Sequence, residues 1–294
     1  MATFALISLN CFGVPTPTNR TRCRLLTLAR ELDRRDAMVV CLQEVQTHFY
    51  RRLLIQACSC YPANVYAPFV HAPKGGLLTL ARLPLRRSTF TLFRERGLWH
   101  TPAVTDWLLH KGILQAHLMF DGLPIAVFNT HLTANYSGNW SAENRYARTE
   151  REQLRQLAGL VAAQPPDTLI LVAGDFNIPR GSWLYDEFLA ASGLTDPLAG
   201  DTRPTLRVPL GVPARYALPI DFALFRAPDL PGLQVSSNLC FREKLALIDG
   251  RQGYLSDHYG IELRLTWDDR ASRYPSSAGH ASAPIPEGPR RSAP

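Results

Sequence analysis

Leu169-Ile-Leu-Val-Ala-Gly174-Asp175-Phe176-Asn177 decides how the rest of the chain is read. An apolar run of strand length follows Pro165-Pro166-Asp167, too short for a helix and polar on neither face, as a strand buried on both sides must be. It then stops on a glycine, an aspartate and an asparagine, the last two separated by one aromatic. Taken alone, Gly-Asp-Phe-Asn is equally well a tight turn leading into a helix cap. Its meaning comes from how often the same arrangement recurs.

Apolar runs of similar length lie at 4–9, 38–42, 76–81, 113–119, 125–128, 222–225 and 260–265. Several end in a compact polar group: Asn10, Gln43-Glu44 and Asn129-Thr130-His131. Asp221 opens the run at 222–225, and Ser256-Asp257-His258 precedes the last one. Between the runs, residues 22–35 put Leu25, Leu28, Ala29 and Leu32 on one helical face, and residues 143–163 do the same with Tyr146, Leu154, Leu157 and Leu160 or Val161. Strands alternating with amphipathic helices predict an α/β (α+β) chain, two packed mixed β-sheets covered by helices. No linker-like break interrupts residues 1–267, which are expected to form one domain. Residues 268–294 are rich in Pro, Ser, Ala and Gly without apolar periodicity, a composition that predicts a disordered tail.

Composition narrows the function. The 294 residues carry 32 Lys+Arg against 25 Asp+Glu, a formal charge of +7, and only Lys74, Lys111 and Lys244 are lysines. Arginine suits bidentate phosphate contacts, but Arg86-Arg87, Arg94 and Arg96 are the nearest approach to a basic patch, so the charge does not demand nucleic acid. Six cysteines without a CxxC pair argue against a zinc site. The uncharged stretch 53–73 is interrupted by Pro62, Pro68 and Pro73 and does not read as a membrane span. The first residues lack a basic leader and a cleavage site, so a cytoplasmic location is expected, with no obligate protein partner and a monomeric chain.

Strand ends gather along one edge of a sandwich, where a rigid scaffold holds reactive groups. The oxygen donors there, Asn10, Glu44, Asp175, Asn177, Asp221 and Asp257, are the kind a hard cation such as Mg²⁺ prefers. His131 and His258 add acid–base or charge-stabilising chemistry that carboxylates alone do not supply.

Read in order, Cys41-Leu-Gln-Glu44-Val, Asn129-Thr-His131-Leu, Gly174-Asp-Phe-Asn177, Ile220-Asp221-Phe222 and Ser256-Asp-His258 resemble the successive signatures of the endonuclease/exonuclease/phosphatase superfamily. The resemblance spans roughly residues 3–266. It implies a four-layer fold, two central sheets flanked by helices, with the site at one edge, and Mg²⁺, or Mn²⁺ in its place, as the cofactor. It further implies that Asn10, Glu44 and Asp257 serve the metal, with Glu44 the principal ligand. His131 would contact the scissile phosphate, Asp175 would orient or deprotonate the attacking water, and Asn177 would hold water or phosphate. His258 and Asp221 would form a histidine–carboxylate pair. Whether Asp175 or His258 is the base stays open at this point.

Within the superfamily, Thr130-His131-Leu132 with Ala134 and Tyr136, Asp106 with Lys111-Gly112, and Arg151 and Gln153 followed by Ser182-Trp-Leu-Tyr185 resemble the neutral sphingomyelinase-like branch. Lys111, Tyr136 and Arg151 are therefore the expected substrate-binding residues. The expected substrate is a phosphodiester of a lipid head group or small molecule. A nuclease or abasic-site endonuclease acting on DNA or RNA, and an inactive binding module on the same fold, are the competing expectations. Trp99, Trp107, Tyr136 and Trp140 are candidates for a membrane contact, although most such aromatics pack into cores and loops.

Overall fold

A computed structural model of the chain describes residues 1–15, 17–97, 108–208, 213 and 216–268. Trp99, Asp106, Trp107 and the expected tail from residue 269 onward lie outside the described residues. The apolar runs become strands β1 (Ala2–Asn10), β2 (Val39–Gln43), β3 (Ala63–Val65), β4 (Leu78–Ala81), β5 (Leu85–Leu92), β6 (Gly112–Phe120), β7 (Leu123–His131), β8 (Leu169–Asp175), β9 (Asp221–Arg226), β10 (Gln234–Cys240), β11 (Leu245–Ala246), β12 (Gln252–Gly253) and β13 (Gly260–Trp267). Among the described residues they make a six-stranded sheet, β10-β13-β1-β2-β4-β3, a five-stranded sheet, β5-β6-β7-β8-β9, and a small β11-β12 hairpin. Both large sheets are mixed: β1 runs parallel to β2 but antiparallel to β13, and β7 runs parallel to β8 but antiparallel to β6.

Period-two alternation sorts each strand between two cores. Phe4 and Leu6, Val39 and Cys41, Ile125 and Val127, and Leu169, Leu171 and Ala173 meet between the sheets. Their neighbours face outward. Ile7, Leu9, Val40 and Leu42 pack beneath helices α1 (Thr21–Asp33) and α2 (His48–Ala57). Ala126, Phe128, Ile170 and Val172 pack beneath α3 (Arg145–Ala162) and α4 (Trp183–Ser192). The result is the four-layer sandwich, helices on sheet on sheet on helices. Thr47, Asn144 and Ser182 cap three of the helices, their side chains accepting the backbone N–H of Tyr50, Tyr146 and Tyr185.

Where β7 and β8 run side by side, Gly174 is obligatory. Its φ is +154°, and a Cβ there would sit 2.0 Å from the Thr130 carbonyl oxygen. Among the described residues no helix is long and apolar enough to cross a membrane.

Candidate active site

The same alternation that fills the inter-sheet core delivers the polar residues to its mouth. Extending the inward positions by one step beyond the apolar residues gives Ser8 and Asn10 on β1, Gln43 on β2, Asn129 and His131 on β7, and Asp175 on β8; Asp221 precedes inward Ala223 on β9. Register then aligns them. His131 pairs with Asp175 across β7–β8, and Asp175 with Asp221 across β8–β9. Just below, the Gln43 amide donates to Asn129 Oδ1 at 2.8 Å, and Asn129 Nδ2 lies 3.2 Å from the Leu42 and Leu78 carbonyls. Such a buried amide pair fixes the separation and register of the two sheets directly under the site.

Glu44 is carried out of β2 on a left-handed backbone, φ 57°, and Asn177 follows β8 with φ 53°. Strained backbone of this kind persists only where surroundings enforce it. At Glu44 the enforcement is visible: Gly13 donates its N–H to the Glu44 carbonyl at 3.0 Å, and any Cβ at Gly13 would meet that oxygen at 2.2 Å. Asn177 is held by its Nδ2 on the Leu132 carbonyl and its N–H on Asp175 Oδ1, both at 3.0 Å.

The polar groups converge. Asn10 Nδ2 donates to Glu44 Oε1 at 2.9 Å and to Asp175 Oδ2 at 3.0 Å. His131 Nε2 lies 3.5 Å from Asp175 Oδ2, and His258 Nε2 lies 3.8 Å from the same oxygen. His258 Nδ1 makes a 2.8 Å hydrogen bond to Asp221 Oδ2. Ser256 Oγ ties this loop to the Asn10 carbonyl at 2.6 Å and also reaches Asp257 Oδ1. Lys111, fully buried, donates to the Leu132 carbonyl at 2.8 Å.

Burial raises the Asp175 carboxyl to about 7, and neighbouring Asp221 adds to the shift against the pull of His258. Glu44 is also raised by burial, offset in part by the Asn10 hydrogen bond. For His258 burial acts downward, but Asp221 and Asp175 outweigh it and lift the imidazole to about 10. His131 goes the other way: burial, then the charges of Lys111 and His258, push it well below its ordinary range. The two histidines are thus driven in opposite directions by their surroundings.

Glu44, His131 and Asp175 each offer a ligand atom, and these atoms lie within 4.8 Å of one another. Two carboxyls, Asp175 buried and Glu44 half-buried, face each other across a single amide, and both are held above their ordinary range, so the pair is short of positive charge. A hard divalent cation fits that donor set.

The groups open into a cavity of about 600 Å³ lined by Glu44, Lys111, His131, Tyr136, Asp175, Asn177 and His258 on its polar side. Val14, Pro15, Phe69, Pro73, Leu108, Leu109 and Ile220 make its apolar wall. Asp257 and Ser256 face a neighbouring cavity instead, and Leu206 lines both. Arg151, like Asp257, is a sequence-based expectation that does not line this cavity. It sits on the outer face of α3, paired with Glu187 of α4 at 2.8 Å and lying over the Trp183 ring, because helix-helix packing claims that face.

Two arginines hold the site's backbone and had no signal in the sequence. Arg24 donates to the carbonyls of Cys11, Phe12 and Leu255. Arg207 donates to those of Ser256 and His258. Their acceptors are carbonyls distant in sequence, which residue spacing cannot reveal.

The fold recurs among solved structures. SmcL superposes with a TM-score of 0.70 at 18% identity, covering 90% of this chain and 99% of that one. The Danio rerio TDP2 complexed with a single-strand DNA product gives 0.68 at 21%, covering 90% of this chain and all of that one. In sequence, the chain is 24% identical over 276 residues to a Drosophila melanogaster protein provisionally named a neutral sphingomyelinase, covering 88% of this chain and 60% of that one. It is 29% identical over 199 residues to a Schizosaccharomyces pombe inositol phosphosphingolipids phospholipase C, covering 65% and 45%. The chain thus spans about half the length of these curated relatives. The Endonuclease/Exonuclease/phosphatase family model matches residues 7–258, from the middle of β1 to the His258 of the histidine–aspartate pair. The chain belongs to that family, a family of metal-dependent phosphoester hydrolases.

Proposed function

We propose that the protein hydrolyses a phosphodiester whose leaving alcohol or retained arm is apolar, with a lipid head group as the best fit. The observation that carries this reading is the 600 Å³ cavity itself: a phosphate-sized cluster of polar groups opens directly onto an apolar wall. The names of the two sequence relatives, both sphingolipid hydrolases, support the same substrate class.

The roles follow from charge and geometry. A bound phosphodiester is anionic, so its hydrolysis needs positive charge placed where negative charge grows. Glu44, with Asn10 beside it, would hold Mg²⁺ or Mn²⁺, which would supply a Lewis acid for a phosphoryl oxygen and the departing alkoxide. His258, charged through Asp221, and neutral His131 would donate hydrogen bonds to the phosphoryl oxygens. Asp175 is the better base of the two candidates. Its carboxylate lines the cavity and burial favours its proton-bound form, whereas the His258 imidazole is held charged by Asp221 and Asp175 and has no free lone pair to offer. Lys111 adds long-range positive potential beneath the phosphate, and Asn177 would orient water.

A substrate panel tests the reading: sphingomyelin in mixed micelles, bis(p-nitrophenyl) phosphate, supercoiled plasmid, and duplex with an abasic site. Turnover of sphingomyelin at least tenfold faster than of the nucleic acids is the expected result. Nicking of plasmid with no lipid turnover would replace the lipid reading by the nuclease one, and inactivity on all four with Mg²⁺ and Mn²⁺ would favour a binding module.

A further inference from the structure

Ser256, Asp257 and His258 lie outside any named strand, in the segment between β12 and β13, yet their imidazole must be fixed to within a fraction of an ångström to pair with Asp221. The partner that fixes them is residues 205–207. Thr205 accepts, on its Oγ1, the N–H groups of Ile220 and Asp221, each at 3.0 Å. Its carbonyl takes the Tyr259 N–H at 2.7 Å, and Leu206 bridges to His258 in strand-like fashion. Arg207 completes the grip. Its backbone N–H donates to the Asp257 carbonyl at 2.7 Å. Its guanidinium reaches four more carbonyls: Nη1 to Ser256 at 2.7 Å and His258 at 3.1 Å, Nη2 to Phe241 at 3.0 Å and Arg242 at 2.6 Å.

The same guanidinium lies between the rings of Tyr254 and Tyr259, 4.1 Å from each centroid. Carbonyl oxygens converging on one point repel one another, and a planar cation with five donors in a fixed fork is the side chain that relieves this. Its hydrogen-bonding capacity is turned toward backbone rather than toward the cavity, so it is not a phosphate ligand. Through Thr205 the segment holds Asp221, and through Arg207 it holds His258, so one short stretch of chain templates both members of the pair.

We propose that Arg207 is a positioning residue for hydrolysis, acting through His258: it sets where the imidazole stands relative to Asp221 and the scissile phosphate. A lysine keeps the charge but cannot span four carbonyls or stack between two rings.

The proposal rests on the phosphodiesterase reading above, and its test separates the two. Arg207→Lys should lower kcat ten- to a hundredfold while KM stays within twofold, since a misplaced group near the chemistry costs on the order of 10²-fold. In a His258→Ala background the same substitution should cost less than twofold, because residues acting as one unit are non-additive. An equal fold-loss in both backgrounds, a loss confined to KM, or an unchanged kcat would overturn it. Tyr254→Leu, which removes one face of the stack at a partly exposed position, serves if Arg207→Lys does not fold, with the same pattern expected at smaller amplitude. A readout independent of substrate is the low-field proton resonance of the His258 Nδ1–H bonded to Asp221. It should be present in the wild type, absent in His258→Ala, and displaced or lost in Arg207→Lys. An unmoved resonance overturns the proposal even if no substrate is turned over.

Discussion

Asn10 of β1 and Asp175 of β8 belong to different sheets, yet Asn10 Nδ2 donates a 3.0 Å hydrogen bond to Asp175 Oδ2. This contact closes the mouth of the sandwich. The Gln43–Asn129 amide pair lies one layer below it, and the apolar inter-sheet core lies below that. The polar site is thus the top layer of the hydrophobic core, positioned by the same strand register that packs Leu171 against its neighbours.

The His258–Asp221 pair should behave as one unit. His258→Ala is expected to lower kcat by about 10²–10⁴-fold with little change in melting temperature. Asp221→Asn should cost less, since the imidazole stays but loses the charge that holds it protonated. Combining the two should cost little more than His258→Ala alone. Strictly multiplicative losses in the three kcat values would show that the residues act separately.

Glu150 of α3 supplies a pH prediction away from the metal-side residues. It is fully buried; Asn135 and the Trp140 indole favour its charged form, but neither completes a hydrogen bond to it, and burial raises its carboxyl well above 4.5. The folded state therefore keeps a proton that the unfolded chain releases above that value. Stability from this residue is fully present below about pH 4.5 and is lost as pH rises toward the folded value, by up to about 1.4 kcal/mol per pH unit. Glu150→Gln cannot ionise, so its melting temperature should gain on the wild type as pH rises above 5, until the folded carboxyl itself ionises. Parallel melting curves across that range would mean that Glu150 is charged in the fold.

Tyr136 and Arg151, both expected from the sequence to bind substrate, should now separate. Tyr136 lines the cavity, whereas Arg151 is engaged with Glu187 on the helical layer. Tyr136→Ala should raise KM several-fold, and Arg151→Ala should leave kcat and KM within about twofold, since a solvent-screened surface ion pair contributes little. Michaelis–Menten constants for the two variants decide this; a large KM effect at Arg151 alone would restore the earlier expectation.

What the sequence made legible has a common cause. β8 and β7 are buried on both faces, so their apolar runs end abruptly where Asp175 and Asn129 begin, and period two carries those residues to one edge. The edge strands β5 and β10 lack that contrast. β5 exposes Arg86, Arg87 and Ser88, and β10 alternates exposed and half-buried residues, so neither stands out as an apolar run. Helices α2 and α4 are only ten residues long, too short for a periodic face to emerge from their flanks. Arg151 was expected from its resemblance to a branch motif, and a motif match does not tell which neighbour a helix face meets; here that neighbour is Glu187. Arg24 and Arg207 were invisible because their acceptors are backbone carbonyls, which carry no sequence identity.

On the proposed reading, Glu44 with Asn10 beside it holds a divalent cation for phosphodiester hydrolysis. The most direct measurement is the rate of bis(p-nitrophenyl) phosphate hydrolysis after exhaustive chelation and as Mg²⁺ is returned, for the wild type and for Glu44→Gln. The rate should vanish on chelation and recover with Mg²⁺, and Glu44→Gln should need on the order of 10–100-fold more Mg²⁺ for half recovery, as lost metal-site partners typically require. Full activity in the chelated wild type, or an identical Mg²⁺ dependence in Glu44→Gln, would contradict the assignment.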